Sequence, residues 1–172
     1  MRSLEVIVSS GGKFHAYEIV RAAQHAGCLK RFITTLLDRH EEDIDRARVR
    51  QIILPELLGM GIQRIPGAAS VPFSYLVRDN LFDLLARRHI DGGDILNVFN
   101  HFGLYSMRRA RRLGMKTLVE RSSAHPVVHH KLLSEEYARF GLRFSQTNRI
   151  LFRKHEQEYA EADAIVVPSD FV

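Results

Sequence analysis

An α/β domain built on a parallel sheet, with helices on both faces, is the fold class that the sequence predicts, and three observations predict it. Strand-like and helix-like segments alternate from one end to the other, with no repeat, low-complexity stretch or linker among them. The strand-like segments are short apolar runs, such as Ala164 to Val167 ahead of Pro168, the pattern of a strand buried on both faces. Polar or glycine-containing turns follow several of these runs directly, where an open parallel sheet places its ligands.

The elements are read in order from these signals. Strands are expected at Leu4 to Ser9, Arg31 to Leu36, Ile95 to Phe99, Lys116 to Glu120 and Ala164 to Val167, and "GIQRIPG" is read as a further short strand. Ala16, Ile19, Val20, Ala23 and Ala26 fall on one face of a first helix, which Gly27 closes in a left-handed conformation. Phe73, Leu76, Val77, Leu81, Leu84 and Leu85 form the apolar stripe of a second, and Leu104, Met107, Ala110 and Leu113 that of a third, closed by Gly114. "IPGAASVPF" and the segment from Arg139 to Asn148 are read as loops. Beyond Pro168, Ser169 and Asp170 are good N-cap residues and Phe171 and Val172 would open another apolar face, so a following helix and a longer protein are expected.

Length and composition bound the function. The chain has 172 residues, 45% of them hydrophobic and 26% charged, which is enough for one domain with a core and is not a disordered composition. Its single cysteine, Cys28, cannot form an internal disulfide and fits a reducing, cytoplasmic compartment as a buried, inert thiol. No apolar run approaches a membrane span, and the first residues run into a strand without a signal-peptide pattern. The net charge of +5 comes more from arginine than from lysine, which favours anionic partners, because guanidinium groups match phosphate geometry.

Five stretches just after the strands matter most for chemistry: "SSGGKF", "NHFG", "ERSSAHP", the "IPGAASVP" loop and the final "PSD". "SSGGKF" places Gly11, Gly12 and Lys13 between a strand and a helix, where free amides and the helix dipole attract an anion, or where the glycines merely make a tight turn. It is neither the G-x-G-x-x-G nor the P-loop pattern. "NVFNHFG" puts Asn100 and His101 at the end of a central strand, and "TLVERSSAHP" does the same for Glu120, Arg121, Ser122, Ser123 and His125. His101 could act as an acid, a base or a hydrogen-bond donor to a sugar hydroxyl, and Arg121 could pair with a phosphate or carboxylate. His125 and His129 have i, i+4 spacing, but "HPVVHH" lacks the glutamate of a zinc helix and no cysteine is near, so no metal is assigned. "RRARRLGMK" concentrates Arg108, Arg109, Arg111 and Arg112 on the solvent side of a helix, a solvated face that could also rest on an anionic membrane surface. No aromatic residues are interleaved with it, which argues against nucleic-acid binding.

Taken together, the series "SSGGKFHAYEIVRAAQHAG", "DILNVFNHFGLYSMRRARRLGMKTLVERSSAH" and "RKHEQEYAEADAIVVPSDFV" resembles the N-terminal domain of a GT-B glycosyltransferase of the family 4 type, over nearly the whole chain. The resemblance implies a Rossmann-like acceptor domain over residues 1–172, with a donor-binding second domain absent from this chain. It implies sugar transfer from a nucleotide-sugar to a sugar or lipid-linked acceptor, with retention of configuration and no cofactor, in the cytoplasm or at the inner membrane face, and a chain that is inactive alone. Gly11, Gly12 and Lys13 then face the donor diphosphate; His101, Arg121 and His125 are the catalytic candidates; and Asn100, Ser122 and Ser123 bind acceptor. The rival expectation is a stand-alone flavodoxin-like module that binds a nucleotide or a partner without catalysis.

Overall fold

The computed structural model describes residues 3–38, 40, 41, 43–64, 71–144 and 149–170. Six parallel strands form one sheet: β1 (Val6–Ser10), β2 (Leu29–Thr34), β3 (Val49–Gln51), β4 (Ile95–Phe99), β5 (Lys116–Glu120) and β6 (Ala164–Val166). Their order is β3-β2-β1-β4-β5-β6. This is the doubly wound, Rossmann-like arrangement, not the 2-1-3-4-5 order that a flavodoxin-like module would show. The chain winds outward from β1 to β3, returns to β4 beside β1, and winds outward the other way. That reversal opens a crevice beyond the carboxyl ends of β1 and β4.

Among the described residues, six α-helices flank the sheet: α1 (Ala16–His25), α2 (Leu54–Gln63), α3 (Val71–Ala86), α4 (Leu104–Arg112), α5 (Pro126–Arg139) and α6 (Arg149–Glu161). Right-handed crossovers place α1, which leads toward one edge, on the face opposite α4, which leads toward the other. On the α4 side, α2 packs on α3, α3 on α4 and α4 on α6. The core runs along the central strands through Ile7, Val8, Phe32, Ile33, Leu96 and Val98, and is sealed by Val20, Phe82 and Met107 from the helices.

Several expectations hold and several are corrected. The α4 stripe is buried at Leu104, Met107 and Ala110, and Gly27 and Gly114 adopt φ values of +68° and +78° where their helices end. Ala26 is exposed, because α1 ends one residue earlier, and Cys28 is only half-buried. β6 is not buried on both faces: it pairs with β5 alone at the sheet margin, and its three residues are exposed. "GIQ" closes α2 and is not a strand; the strand on that side is β3, immediately upstream. In α3 the buried positions are Ser74, Asp79, Phe82, Asp83 and Ala86, while Phe73 is exposed. Of the expected loop "IPGAASVPF", residues 65–70 lie outside the described residues, and Val71, Pro72 and Phe73 open α3 instead. Of the loop expected from Arg139 to Asn148, Arg139 ends α5, and residues 145–148, like Phe171 and Val172, lie outside the described residues.

Candidate functional site

The β1 end of the crevice is a compact turn. Ser9 and Ser10 are fully buried, the Ser10 hydroxyl donates to the Gly12 carbonyl at 2.7 Å, and the Thr35 hydroxyl donates to the Gly11 carbonyl at 3.1 Å. Gly11 lies against the ring of Phe102 and Gly12 against the ring of Phe14. Phe14, at a left-handed φ of 33°, stacks on Phe99 with ring centroids 5.8 Å apart. Lys13 points toward the β2 side, where its Nζ pairs with Asp38 at 2.8 Å and Glu41 at 3.1 Å.

At the end of β4 the chain turns sharply enough that His101 takes a φ of 81°, a conformation that costs a non-glycine residue on the order of 1–3 kcal/mol. Glu158, fully buried on α6, holds this turn: its carboxylate accepts from the His101 amide at 2.8 Å and from the Gly103 amide at 3.0 Å. Burial pushes its carboxyl up to about 7, against the opposing pull of Lys154 and of the two amides. Lys154, also buried, donates to the His101 carbonyl at 2.6 Å and stands 3.4 Å from Asp83.

The imidazoles of His101 and His155 meet edge to face, with His155 Nε2 2.6 Å from His101 Nδ1. Burial above all, with the nearby Arg121 and Lys154 charges adding, holds both well below the ordinary imidazole range. Both are therefore neutral at pH 7, and their tautomers follow from their partners. Asn100, with its amide turned to satisfy both ends, donates to the Glu120 carbonyl and accepts from Arg121 Nη1 at 2.8 Å and His101 Nε2 at 2.9 Å. His101 thus donates from Nε2 and accepts at Nδ1 from His155 Nε2–H. That leaves His155 Nδ1 a buried acceptor with no partner among the described residues.

Arg121 follows β5 and is buried. Its guanidinium donates to Asn100, to the Ser123 carbonyl at 2.6 Å and to the Ala124 carbonyl, so it clamps the loop that carries the exposed Ser122 and Ser123. His125 caps α5 by accepting from the Val127 amide at 3.4 Å. Arg121, His125, Tyr159, Ile165 and Val167 line a cavity of about 100 Å³. Burial pushes the Tyr159 phenol above its ordinary value, against the pull of Arg121.

The fold therefore brings Asn100, His101 and Arg121 into one hydrogen-bonded set and puts His125 in a cavity with Arg121. Lys13 is directed to Asp38 and Glu41, and Ser122 and Ser123 stand on the loop surface. Sequence reasoning missed Lys154, His155, Glu158 and Tyr159. Their signal is a polar stripe at i, i+1, i+4 and i+5, which reads as a solvated helical face until His101 is known to stand over it. Glu120, the other polar residue expected at the end of β5, is buried there, accepts from Asn97 Nδ2 at 2.7 Å and faces His15 at 3.5 Å.

No family model and no curated protein matches the chain. Its class is that of the fold: a Rossmann-like α/β domain with polar residues gathered at the topological switch point. Among the described residues, no helix is long and apolar enough to cross a membrane.

Proposed function

We propose that this chain is the acceptor-binding half of a glycosyltransferase that moves a sugar from a nucleotide-sugar to a hydroxyl-bearing acceptor. The observation that carries the reading is the convergence of Asn100, His101 and Arg121 beyond the carboxyl ends of β4 and β5, on the edge of an open α/β sheet at which ligands bind and next to its switch point between β1 and β4. The neutral Asn100 amide, with the Arg121 charge already engaged by Asn100 and two loop carbonyls, suits a polyhydroxylated ligand better than a strongly charged one. Asn100 would bond a sugar hydroxyl through its remaining amide N–H, and His101, whose two ring nitrogens are held by Asn100 and His155, would keep Asn100 in place. Arg121 would position the loop of Ser122 and Ser123 against the acceptor, and His125 would border the small cavity beside it. Gly11 and Gly12 would face the donor diphosphate, which a second domain would hold in the main. The resemblance of the whole ordered series to the family 4 type of GT-B enzyme supports this assignment over other Rossmann-like functions.

Calorimetry on this chain tests the reading. A panel of mono- and disaccharides is titrated beside uridine, guanosine and adenosine diphosphates. The expected result is saturable binding of at least one saccharide, weakened at least about tenfold in His101→Ala and Arg121→Ala, with only weak nucleotide binding. Micromolar or tighter binding of a nucleoside diphosphate, with no saccharide bound, would instead support a stand-alone nucleotide-binding module.

A further inference from the structure

A second concavity lies away from the carboxyl-edge crevice, between α4 and the short 3-10 helix Arg87–His89 that follows α3. Its volume is about 540 Å³, within the range of small-molecule sites, and its lining is Arg87, Arg88, Tyr105, Arg108, Arg109 and Arg112. The four α4 residues fall at i, i+3, i+4 and i+7, so they form one helical face running from the first turn to the last. Arg111 is not on it: its guanidinium donates to the Glu161 carbonyl at 3.1 Å. The arginine run of the sequence therefore supplies a cavity wall through Arg108, Arg109 and Arg112 and α6 contacts through Arg108 and Arg111.

The charges of the cavity are poorly compensated from within. Arg108 is paired with Glu161 through Nε and Nη2, and Arg109 Nε only reaches the Ile90 carbonyl at 3.4 Å. The guanidinium groups of Arg87, Arg88 and Arg112 make no hydrogen bond or ion pair with any of the described residues. Five guanidinium groups around one hollow repel one another, and a multivalent oxyanion offers each of them a charge and paired acceptor oxygens. Tyr105 completes the lining.

We infer that this cavity is a binding site for an oligophosphate, a ligand that carries several phosphate groups on a compact frame. The site is independent of the saccharide reading, because it shares no lining residue with the crevice. Clustered phosphates occur both in free oligophosphates and in phosphoinositide headgroups, and the two sources are separated by experiment.

Calorimetry of the chain with sodium tripolyphosphate and with inositol hexakisphosphate, at about 0.15 M salt, is expected to give saturable one-to-one binding. The double variant Arg87→Ala, Arg109→Ala and the single variant Arg88→Glu should each weaken it at least about tenfold. Arg111→Ala should leave it unchanged, and circular dichroism should show every variant folded, since the substituted arginines are exposed. Co-sedimentation with phosphatidylcholine vesicles carrying phosphatidylinositol bisphosphate then assigns the source. Recruitment that tripolyphosphate displaces identifies a lipid headgroup, and oligophosphate binding without recruitment identifies a free ligand. The inference is overturned if neither oligophosphate saturates the chain. It is equally overturned if Arg111→Ala weakens binding as much as the cavity variants, because the effect would then be that of a diffuse basic surface.

Discussion

A methyl group added at Gly11 would stand 2.4 Å from Cε1 of Phe102, and one added at Gly12 would stand 2.6 Å from Cε2 of Phe14. The two distances are nearly alike, but the two rings are not. Phe102 is 2% exposed and packs edge to face on Phe82, so it can move only by displacing the core. Phe14 is 55% exposed and can swing into solvent. Gly11→Ala should therefore destabilise by about 1–3 kcal/mol, the range for overpacking a filled core, and Gly12→Ala by less than about 1 kcal/mol. Urea unfolding of the two variants measures the difference, and equal costs would mean that Phe14 is held as firmly as Phe102. Gly12 is consequently the position at which a larger side chain can be used to probe ligand approach without a large loss of stability.

At the scale of elements, α4 is anchored from outside itself. Gly103 stands at its N-cap position and offers no side chain, and the free amides of Tyr105 and Ser106 are instead satisfied by the two oxygens of Asp83 on α3, each at 2.9 Å. The carboxylate also meets the helix dipole favourably and faces Lys154. Asp83→Asn keeps the shape but turns an NH2 toward one amide and removes the partner of a buried cation. It should cost about 1–3 kcal/mol in urea unfolding, while Ser122→Ala on the exposed loop stays within about 0.5 kcal/mol of the wild type. The Asp83 contact also shows why α3 was misread. Its apolar residues trace a stripe that marks the core side of an ordinary helix, but here buried positions go to Asp79 and Asp83, whose partners lie on other elements or on Arg78. Periodicity sees only one helix at a time. The same limit hid α2, whose last residues read as a short strand in "GIQRIPG"; within it Gly59 packs against the Arg78 side chain of α3. Strands β4 and β5 were legible to the residue because their apolar runs are bounded by turns at both ends. Asn100, His101 and Arg121 were legible as site candidates from position alone, at strand ends. Their partners on α6 were not, because those contacts join residues more than fifty positions apart.

For the molecule as a whole, the same buried groups set how stability responds to pH. Glu158 is raised to about 7 and Asp79 to about 6, both by burial, so the folded chain keeps protons that the unfolded chain releases above 4.5 and 3.8. Their contribution is complete below those ordinary values and is lost as pH rises through about 6 to 7. His101 and His155 are depressed, so their contribution is complete above 6.5 and is lost as pH falls, when the unfolded chain takes up two protons that the folded chain refuses. From about pH 4.5 to 6 the two imidazoles oppose the two carboxyls proton for proton, and His89, depressed by its own burial, tilts the balance slightly toward the imidazoles. Stability should therefore vary little across that interval. Removing one side of the balance should expose the other. In Glu158→Gln, stability should climb with rising pH more steeply than in the wild type between 4.5 and 7, by up to about 1.4 kcal/mol per pH unit, the slope of one proton. In His155→Gln, whose amide can still donate to His101 Nδ1, the change of slope below 6.5 should be of similar size and opposite sign. Urea titrations at half-unit pH intervals give both slopes directly. If the two variants tilt the curve in the same direction, the imidazole pair is not held neutral in the folded chain, and the hydrogen-bond chain from Asn100 through His101 to His155 would have to be redrawn with a proton on it.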